Sequence, residues 1–143
     1  IRMGILKIKD DLSIEFLDPK LQFNTGEYKL NSTQTSFINK FSKKLIPFLY
    51  KNKTYIKALE VNGHTSSEWN NSNFSTTYLK NEKLSMRRAF STLTHIFKSQ
   101  DIQTQKWLSQ VFKGSGLAFS KKIIFDNVEY KQKSRRVSFK LVL

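Results

Sequence analysis

Alternating apolar and polar residues mark both ends of the chain. Near the N-terminus the apolar side chains occupy even positions, at Leu6, Ile8, Leu12, Ile14 and Phe16. A period of two predicts β-strand with one buried face, and Asp10-Asp11 is where a hairpin would turn. The alternation returns within residues 135–143, at Val137, Phe139, Leu141 and Leu143. We therefore predict an N-terminal strand or hairpin within residues 1–20 and a strand at the C-terminal end.

Two segments have the apolar spacing of amphipathic helices. After Asn31 and Ser32, both suitable N-caps, apolar residues recur at Phe37, Ile38, Phe41, Leu45, Phe48 and Leu49. Pro47 should kink this helix or end it early, because proline lacks the N–H donor and clashes one turn back. We expect the helix to stop by residues 51–53. A second stripe comprises Met86, Ala89, Phe90, Leu93, Ile96 and Phe97. It predicts a helix that begins near Asn81 and turns this stripe toward the core.

Between these helices lie a strand and a long polar segment. Residues 55–62 carry apolar side chains on both faces, as an inner strand does, and the strand should end at Gly63. Residues 70–77 are rich in Asn, Ser and Thr, which compete with the backbone for hydrogen bonds, so we predict a loop there. A long polar loop in a compact domain is more often a binding loop than a spacer.

The remaining segments complete a mixed order of elements. We predict a short helix over residues 103–108, a strand that starts at Val111-Phe112, a turn at Gly114-Ser115-Gly116 and a loop over residues 121–133. The order β-α-β-α-(α)-β-β favours an α+β fold, a two-layer sandwich with the helices on one face of a mixed β-sheet. A length of 143 residues suits a single domain.

Charge and composition narrow the classes of partner. With 25 Lys and Arg against 11 Asp and Glu, the net charge of +14 should attract a polyanion such as nucleic acid, an anionic membrane surface or a carboxylate-rich cell wall. No run of 18 apolar residues, signal peptide or cysteine is present. Because the chain does not begin with Met, we expect it to be the C-terminal part of a longer, membrane-anchored protein.

The second predicted helix carries the residues with the clearest chemistry. Asn81, Ser85, Arg88 and Thr92 fall on one side of it, which we expect to face solvent. A guanidinium there could grip a carboxylate with two parallel hydrogen bonds. From this spacing alone, an ordinary solvated face is the favoured interpretation. His64 and His95 have no acidic or Cys partner at metal-ligand spacing, and no nucleophile has an assignable base, so we predict no metal, no cofactor and no catalysis.

Four segments in collinear order resemble the OmpA/MotB family of peptidoglycan-binding domains. They are Phe23-Asn24-Thr25-Gly26, Gly63-His64-Thr65, Asn81-x-x-Leu84-Ser85-x-x-Arg88-Ala89 and Ser134-Arg135-Arg136-Val137. The resemblance runs from about Ile5 to Leu143. It implies a single OmpA-like domain over residues 1–143 with its family core at 21–143, and a location in the periplasm of the bacterial cell envelope.

The resemblance also implies a non-catalytic function. Such a domain anchors a membrane protein or a motor/stator-like complex to the cell wall by holding a diaminopimelate-type stem peptide between the strand-2 loop and the second helix. Arg88 matches the arginine that pairs with the ligand's carboxylate. The other implied contacts are His64, Thr65, Asn81, Arg135 and Arg136. A membrane anchor or stator partner in another chain, and a homodimer, are left open.

One position departs from the family pattern. The aspartate that pairs with the ligand's ammonium is replaced by Ser66, and the nearest carboxylate is Glu68. Losing one partner of a desolvated pair typically costs ~2–5 kcal/mol. We expect Glu68 to substitute, with Trp69 packed under the loop or against the sugar. The alternative is a domain that binds weakly, has changed its ligand or has lost it.

Two other functional classes fit the sequence less well. A basic nucleic-acid-binding α+β domain fits the charge, but the basic residues are scattered and no RNA or DNA motif is present, so nucleic acid is the less favoured partner. An enzyme that acts on the wall lacks a catalytic constellation.

Overall fold

The computed structural model describes residues 2–3, 6–16, 21–67 and 73–143. Six strands form one sheet in the order β1–β2–β3–β8–β4–β5. They are Arg2–Met3 (β1), Leu6–Ile8 (β2), Ser13–Phe16 (β3), Ala58–Gly63 (β4), Phe112–Gly116 (β5) and Val137–Val142 (β8). Strands β4 and β5 are parallel, whereas the other neighbours are antiparallel. The predicted mixed sheet, N-terminal hairpin and C-terminal strand are confirmed.

Helices cover one face of this sheet, as predicted. They are Ser32–Lys51 (α1), Phe74–Lys98 (α2), Ile102–Val111 (α3) and the short Lys131–Ser134 (α4). A 3₁₀ turn, Lys53–Tyr55, precedes β4, and a separate hairpin joins Ile124–Phe125 (β6) to Val128–Glu129 (β7). Among the described residues, no helix is both long and apolar enough to cross a lipid bilayer.

The N-terminus of α1 follows the sequence closely, and the helix continues past its proline. Asn31 caps the helix and forms a capping box with Gln34, and the helix ends at Lys51, as predicted. Of the two effects predicted for Pro47, a kink or an early end, the early end is wrong, because Pro47 lies inside the helix at an exposed position. The carbonyl that loses its partner there belongs to Lys43, another exposed residue, so water can replace the missing hydrogen bond.

The alternation along β4 and β8 produces one apolar and one polar face. Val61 lies opposite Phe139 across the strands, and both are buried. Phe139 packs edge to face on Phe41 of α1, with ring centroids 5.3 Å apart. The other face is open: Glu60 pairs in register with Lys140 on one side and with Lys113 of β5 on the other. The core therefore lies between the helices and a single face of the sheet.

Helix α2 begins earlier than predicted, and the side that was predicted to face solvent faces the sheet. Asn73 caps it and accepts a hydrogen bond from the backbone N–H of Thr76, so the predicted loop over residues 70–77 is helical from Phe74. Its buried side consists of Thr77, Asn81, Leu84, Ser85, Arg88, Ala89, Thr92 and Ile96. Met86 and Phe90, predicted to face the core, are 54% and 68% exposed.

The reason for this orientation is the short distance between α2 and the sheet. A Cβ atom added to Gly63 would collide with the backbone carbonyl of Ser85, and one added to Gly116 would lie 2.7 Å from Cγ of Met86. Side chains as large as Phe cannot occupy so narrow a gap, whereas Ser85 and Ala89 can. Of the predicted stripe, Ala89 and Ile96 are buried in the core, both 1% exposed, and the partly buried Phe97 packs against it.

Two further predictions between α3 and β8 are wrong. Gly114-Ser115-Gly116 lies in strand β5 and is not a turn. Residues 121–133, predicted as loop, contain the β6–β7 hairpin and the start of α4. Asp126 and Asn127 adopt φ angles of 51° and 62° at the hairpin tip, a left-handed pair that this residue type tolerates. The short third helix is confirmed and runs from Ile102 to Val111.

Candidate functional site

The residues that follow β4 form a buried loop, residues 64–67, which we call the site loop. Two backbone hydrogen bonds of 2.8 Å fasten it to neighbouring segments: His64 N–H donates to Arg136 O, and Thr65 N–H donates to Ala118 O. A third, from Leu117 N–H to Gly63 O at 2.9 Å, holds the residue before the loop. The loop is therefore held between the end of β5 and the start of β8. Its first three residues are at most 3% exposed.

Arg88 lies directly under the site loop. Its side chain is 0% exposed, so the expectation that it faces solvent is wrong. Nη1 donates to His64 O at 2.9 Å, Nε donates to Glu27 O at 2.8 Å and Nη2 donates to Asn24 O at 3.1 Å. The guanidinium also lies 5.1 Å from the ring centroid of Phe23. One buried cation thus joins α2, the site loop and the segment before α1.

The turn before α1 presents these carbonyls because of its glycine. Gly26 adopts a φ angle of 74°, which an L side chain would strain, and Glu27 N–H donates back to Asn24 O at 3.1 Å. The predicted turn at Gly26 is confirmed. The sequence pattern did not suggest the role of this turn in the site. The carbonyls of Asn24 and Glu27 face inward and accept hydrogen bonds from Arg88.

His64 is neutral and fixed by the final strand. Burial, together with the positive charges of Arg136 and Lys121, lowers the pKa of His64 to about 3. Nε2 lies 2.7 Å from Oγ of Ser138 on β8. Nδ1 of His64 and Oγ1 of Thr65 are both buried, and neither has a hydrogen-bond partner within the described part of the chain. Buried polar atoms of this kind are normally paired, so they mark a place where a ligand or a water molecule can bond.

Arg135 and Glu129 approach the site loop from its other side. Nη1 of Arg135 lies 3.5 Å from Oγ of Ser66, and its Nε donates to Phe23 O at 3.0 Å. Oε1 of Glu129 on β7 accepts from the backbone N–H of Ser67 at 2.8 Å and from its hydroxyl at 3.3 Å. Glu129 was not among the predicted site residues, because it lies in a segment predicted to be loop. Glu68 and Trp69 lie outside the described residues.

Asn81 lies at a distance along the same side of α2. It is 0% exposed, and its Nδ2 donates to Thr77 O in the preceding turn of its own helix at 2.9 Å. The structure therefore brings five of the predicted residues together around the loop, namely His64, Thr65, Ser66, Arg88 and Arg135. The contacts described for Asn81 are within α2.

The charges around the loop suit an anionic ligand group. Arg88 and Arg135 reach the loop with their guanidinium groups, and the positive charge of Arg136 acts on His64. Burial lowers the pKa of Arg136 from its ordinary value. Guanidinium groups prefer carboxylates and phosphates, which they can hold with paired hydrogen bonds. The carboxylate of Glu129 supplies one charge of opposite sign at the edge of the same loop. Within the described residues, no cluster of three or more His, Asp or Glu side chains is placed to hold a metal.

Three solved structures of bacterial proteins share this fold. The OmpA-like domain of FopA1 from Francisella tularensis subsp. tularensis SCHU S4 aligns with a TM-score of 0.63 at 17% identity, over 96% of this chain and 80% of that one. The C-terminal domain of Helicobacter pylori MotB aligns with a TM-score of 0.59 at 15% identity, over 88% and 86% of the two chains. The cell wall anchor of the T6SS from Pseudomonas aeruginosa aligns with a TM-score of 0.60 at 15% identity, over 96% and 87%.

At these identities the likeness shows the fold, and the chain has the fold of OmpA-like domains. No protein-family profile and no curated protein matches the sequence.

Proposed function

We propose that the chain is a non-catalytic peptidoglycan-binding domain that anchors a membrane protein or a motor/stator-like complex to the bacterial cell wall. Its place would be the periplasm, and its membrane attachment would lie in a longer chain or in a partner. The fold supports this proposal, since one structure that shares it is described as a cell wall anchor.

The observation that carries the proposal is the convergence of the four segments on one place. Arg88 donates to the carbonyls of Asn24 and His64, which joins three of the segments. Two hydrogen bonds join the fourth segment, residues 134–137, to the others. Arg135 Nε donates to Phe23 O, and Arg136 O accepts from His64 N–H. Segments that are about 110 residues apart in sequence thus build one basic, partly unsatisfied loop site, as a shared binding function requires.

In this proposal the basic, polar and acidic site residues contact different groups of the ligand. Arg135 and Arg88 attract the carboxylate of a diaminopimelate-type stem peptide, with Arg88 also holding the site loop in place from below. His64 and Thr65 offer to polar groups of the ligand their Nδ1 and Oγ1 atoms, for which the described residues supply no partner. Ser66 lies beside Arg135 at the loop, and Asn81 would be a further ligand contact from α2. Glu68 supplies the negative charge that Ser66 does not, and Glu129 holds Ser67.

Co-sedimentation with diaminopimelate-containing sacculi tests the proposal. Wild-type protein should pellet at moderate salt and should still pellet at high salt, because a buried ion-pair site is poorly screened. Arg135→Gln and Arg88→Lys should each weaken pelleting about tenfold or more, since each loses a forked guanidinium contact. The matched control is Arg87→Lys, at an exposed position beside Arg88, which should pellet like the wild type. Circular dichroism checks that every variant is folded.

Two other results would overturn the proposal. Pelleting that disappears with salt and is equal in all variants would mean attraction by net charge alone, and binding to DNA would then be measured in the same salt series. No pelleting at moderate salt would mean that the site has lost or changed its ligand.

The acidic side of the site needs its own variants. Glu68→Gln should weaken pelleting, and Ser66→Asp should strengthen it or restore it in the Glu68→Gln background. If Glu68→Gln has no effect while Glu129→Gln abolishes pelleting, the carboxylate is Glu129 and not Glu68. If neither variant changes pelleting while Arg88→Lys abolishes it, neither carboxylate contacts the ligand. The proposal that an acidic side chain pairs with the ligand's ammonium group is then wrong.

A further inference from the structure

Among the described strands, β5 has a neighbour on one side only, which leaves this edge of the sheet without a partner strand. It is the last strand in the sheet order and pairs with β4 along all five of its residues. In a parallel pair, only every second residue of an edge strand turns its N–H and C=O toward its neighbour, so the remaining groups of β5 point outward. The middle residues Lys113, Gly114 and Ser115 are all exposed. Unpaired backbone of this kind is a template for another strand.

An apolar groove runs along this open edge. It has a volume of about 640 Å³ and lies between the outer side of α2 and β5. Its apolar wall consists of Leu79, Met86, Phe90 and Leu93. Gly114 has no side chain, so only backbone faces the groove at this position, beside Cδ1 of Leu93. Side chains from an added strand could pack against this backbone and Leu93.

We propose that β5 accepts an extra strand from a partner protein, namely an extended segment in which apolar residues alternate with acidic ones. Successive side chains of a strand point to opposite faces of a sheet. Beside β5, one set would therefore enter the groove against Met86 and Phe90. The other set would lie on the open face, where Lys113 stands in register with Glu60 of β4. Backbone hydrogen bonds would supply affinity and the alternating side chains specificity.

Charge identifies the partner as acidic and as a different molecule. Lys83 and Arg87 line the groove beside a single acidic residue, Glu82, and Lys113 flanks it on the other face. A second copy of this chain would bring its own net charge of +14 and would place the same basic rim against itself. Acidic side chains in the added strand would instead lie beside Lys113 on the open face, and the Lys83 and Arg87 charges at the groove add to the attraction of an acidic partner.

A synthetic peptide of alternating Val and Glu, about eight residues long, is a direct probe. It should slow hydrogen exchange of the β5 amides, measured by NMR, and this protection should saturate with peptide concentration. A Val–Lys peptide tests the charge. A Val–Glu peptide with alternate backbone nitrogens methylated tests strand pairing, because it cannot form the ladder. Neither control peptide should protect β5.

Variants separate the groove from the rest of the surface. Phe90→Lys should weaken binding of the Val–Glu peptide about tenfold or more, because it replaces an apolar contact with a charged one. Lys113→Glu should weaken the Val–Glu peptide and improve binding of the Val–Lys peptide. Ile102→Lys is the matched control, since Ile102 is a similarly exposed apolar residue on α3, and it should change nothing.

Three outcomes would overturn the inference. The first is that β5 amides stay unprotected at saturating peptide. The second is that the N-methylated peptide binds equally well, or that Ile102→Lys weakens binding as much as Phe90→Lys. The third is that the protein dimerises without peptide and Phe90→Lys abolishes the dimer, since the occupant would then be a second copy.

Discussion

The inner side of α2 packs polar residues against the sheet, whereas its outer side exposes apolar ones. Inside, buried polar groups are held by hydrogen bonds: Thr92 Oγ1 donates to Arg88 O at 3.0 Å, and Ser85 Oγ accepts from Ala118 N–H at 3.1 Å. Outside, Met86 and Phe90 contact the groove beside β5 and remain more than half exposed. The narrow space beside Gly63 and Gly116, together with these hydrogen bonds, accounts for the small and polar residues on the side of α2 that faces the sheet.

The two sides also serve different proposed contacts. The inner side ends at the site loop through the bond from Arg88 to His64 O. The outer side faces the open edge of the sheet. Substitutions on the inner side should therefore change both stability and sacculus binding, whereas those on the outer side should leave both nearly unchanged.

Arg88→Ala should have the largest effect on stability. It removes the donors of three carbonyls, one of which belongs to the buried His64, and leaves a cavity where a large side chain is fully buried. We expect the free energy of unfolding to fall by about 3–5 kcal/mol, measured by urea denaturation. Arg87→Ala, one position along on the exposed side, should cost about 0.5 kcal/mol or less, since it loses mainly a cation–π contact with Tyr28. Equal losses in the two variants would contradict the comparison.

Much of the fold was predictable because its signals are local. The period of two in the terminal strands and the Asn31 cap of α1 each need only neighbouring residues, and each prediction is confirmed. The helix start at Phe74 was missed because Asn73 looked like one more polar loop residue, although it is the N-cap.

The site was predicted as a set of positions but not as a geometry. Segment order pointed to Arg88 and His64, yet nothing in their spacing says that Arg88 is buried. That follows from Gly63 and Gly116, whose missing side chains let α2 approach the sheet, and this is a contact between distant segments. Glu129 gave no signal at all, because its role depends on the β6–β7 hairpin reaching Ser67.

Gly63→Ala should be the next most damaging change. The added Cβ would collide with the carbonyl of Ser85, a backbone atom that cannot move unless α2 moves with it. We expect a loss of about 1–3 kcal/mol in the free energy of unfolding. Gly114→Ala is the matched control in the neighbouring strand, because its Cβ would meet only the end of the Leu93 side chain at 3.4 Å. A neutral Gly63→Ala would mean that α2 is not held close to the sheet, and the orientation of its two sides would need another cause.

The pH dependence of stability should reveal the buried His64. Its pKa in the folded protein is about 3, below its value of 6.5 when unfolded, so only the unfolded state takes up this proton between the two values. Its contribution to stability is therefore complete above pH 6.5 and is lost progressively as the pH falls toward 3. Between pH 7 and pH 5.5 we expect a loss of about 1 kcal/mol. Urea denaturation across this range measures it. The loss should disappear in His64→Gln and persist in His95→Gln, and its persistence in His64→Gln would assign the effect elsewhere.

Phe90→Ser should have the smallest effect of all, although it removes one of the largest apolar side chains of α2. Phe90 is 68% exposed, so little apolar surface is uncovered in the folded state, and the free energy of unfolding should change by about 0.5 kcal/mol or less. Solubility should rise, because an exposed apolar patch beside an open strand edge favours association. Urea denaturation at low and high protein concentration is the measurement. A loss above 1 kcal/mol that grows with protein concentration would show that the outer side is already covered in solution by another copy of the chain. Both sides of α2 would then be buried, the inner one by the sheet and the outer one by the second copy.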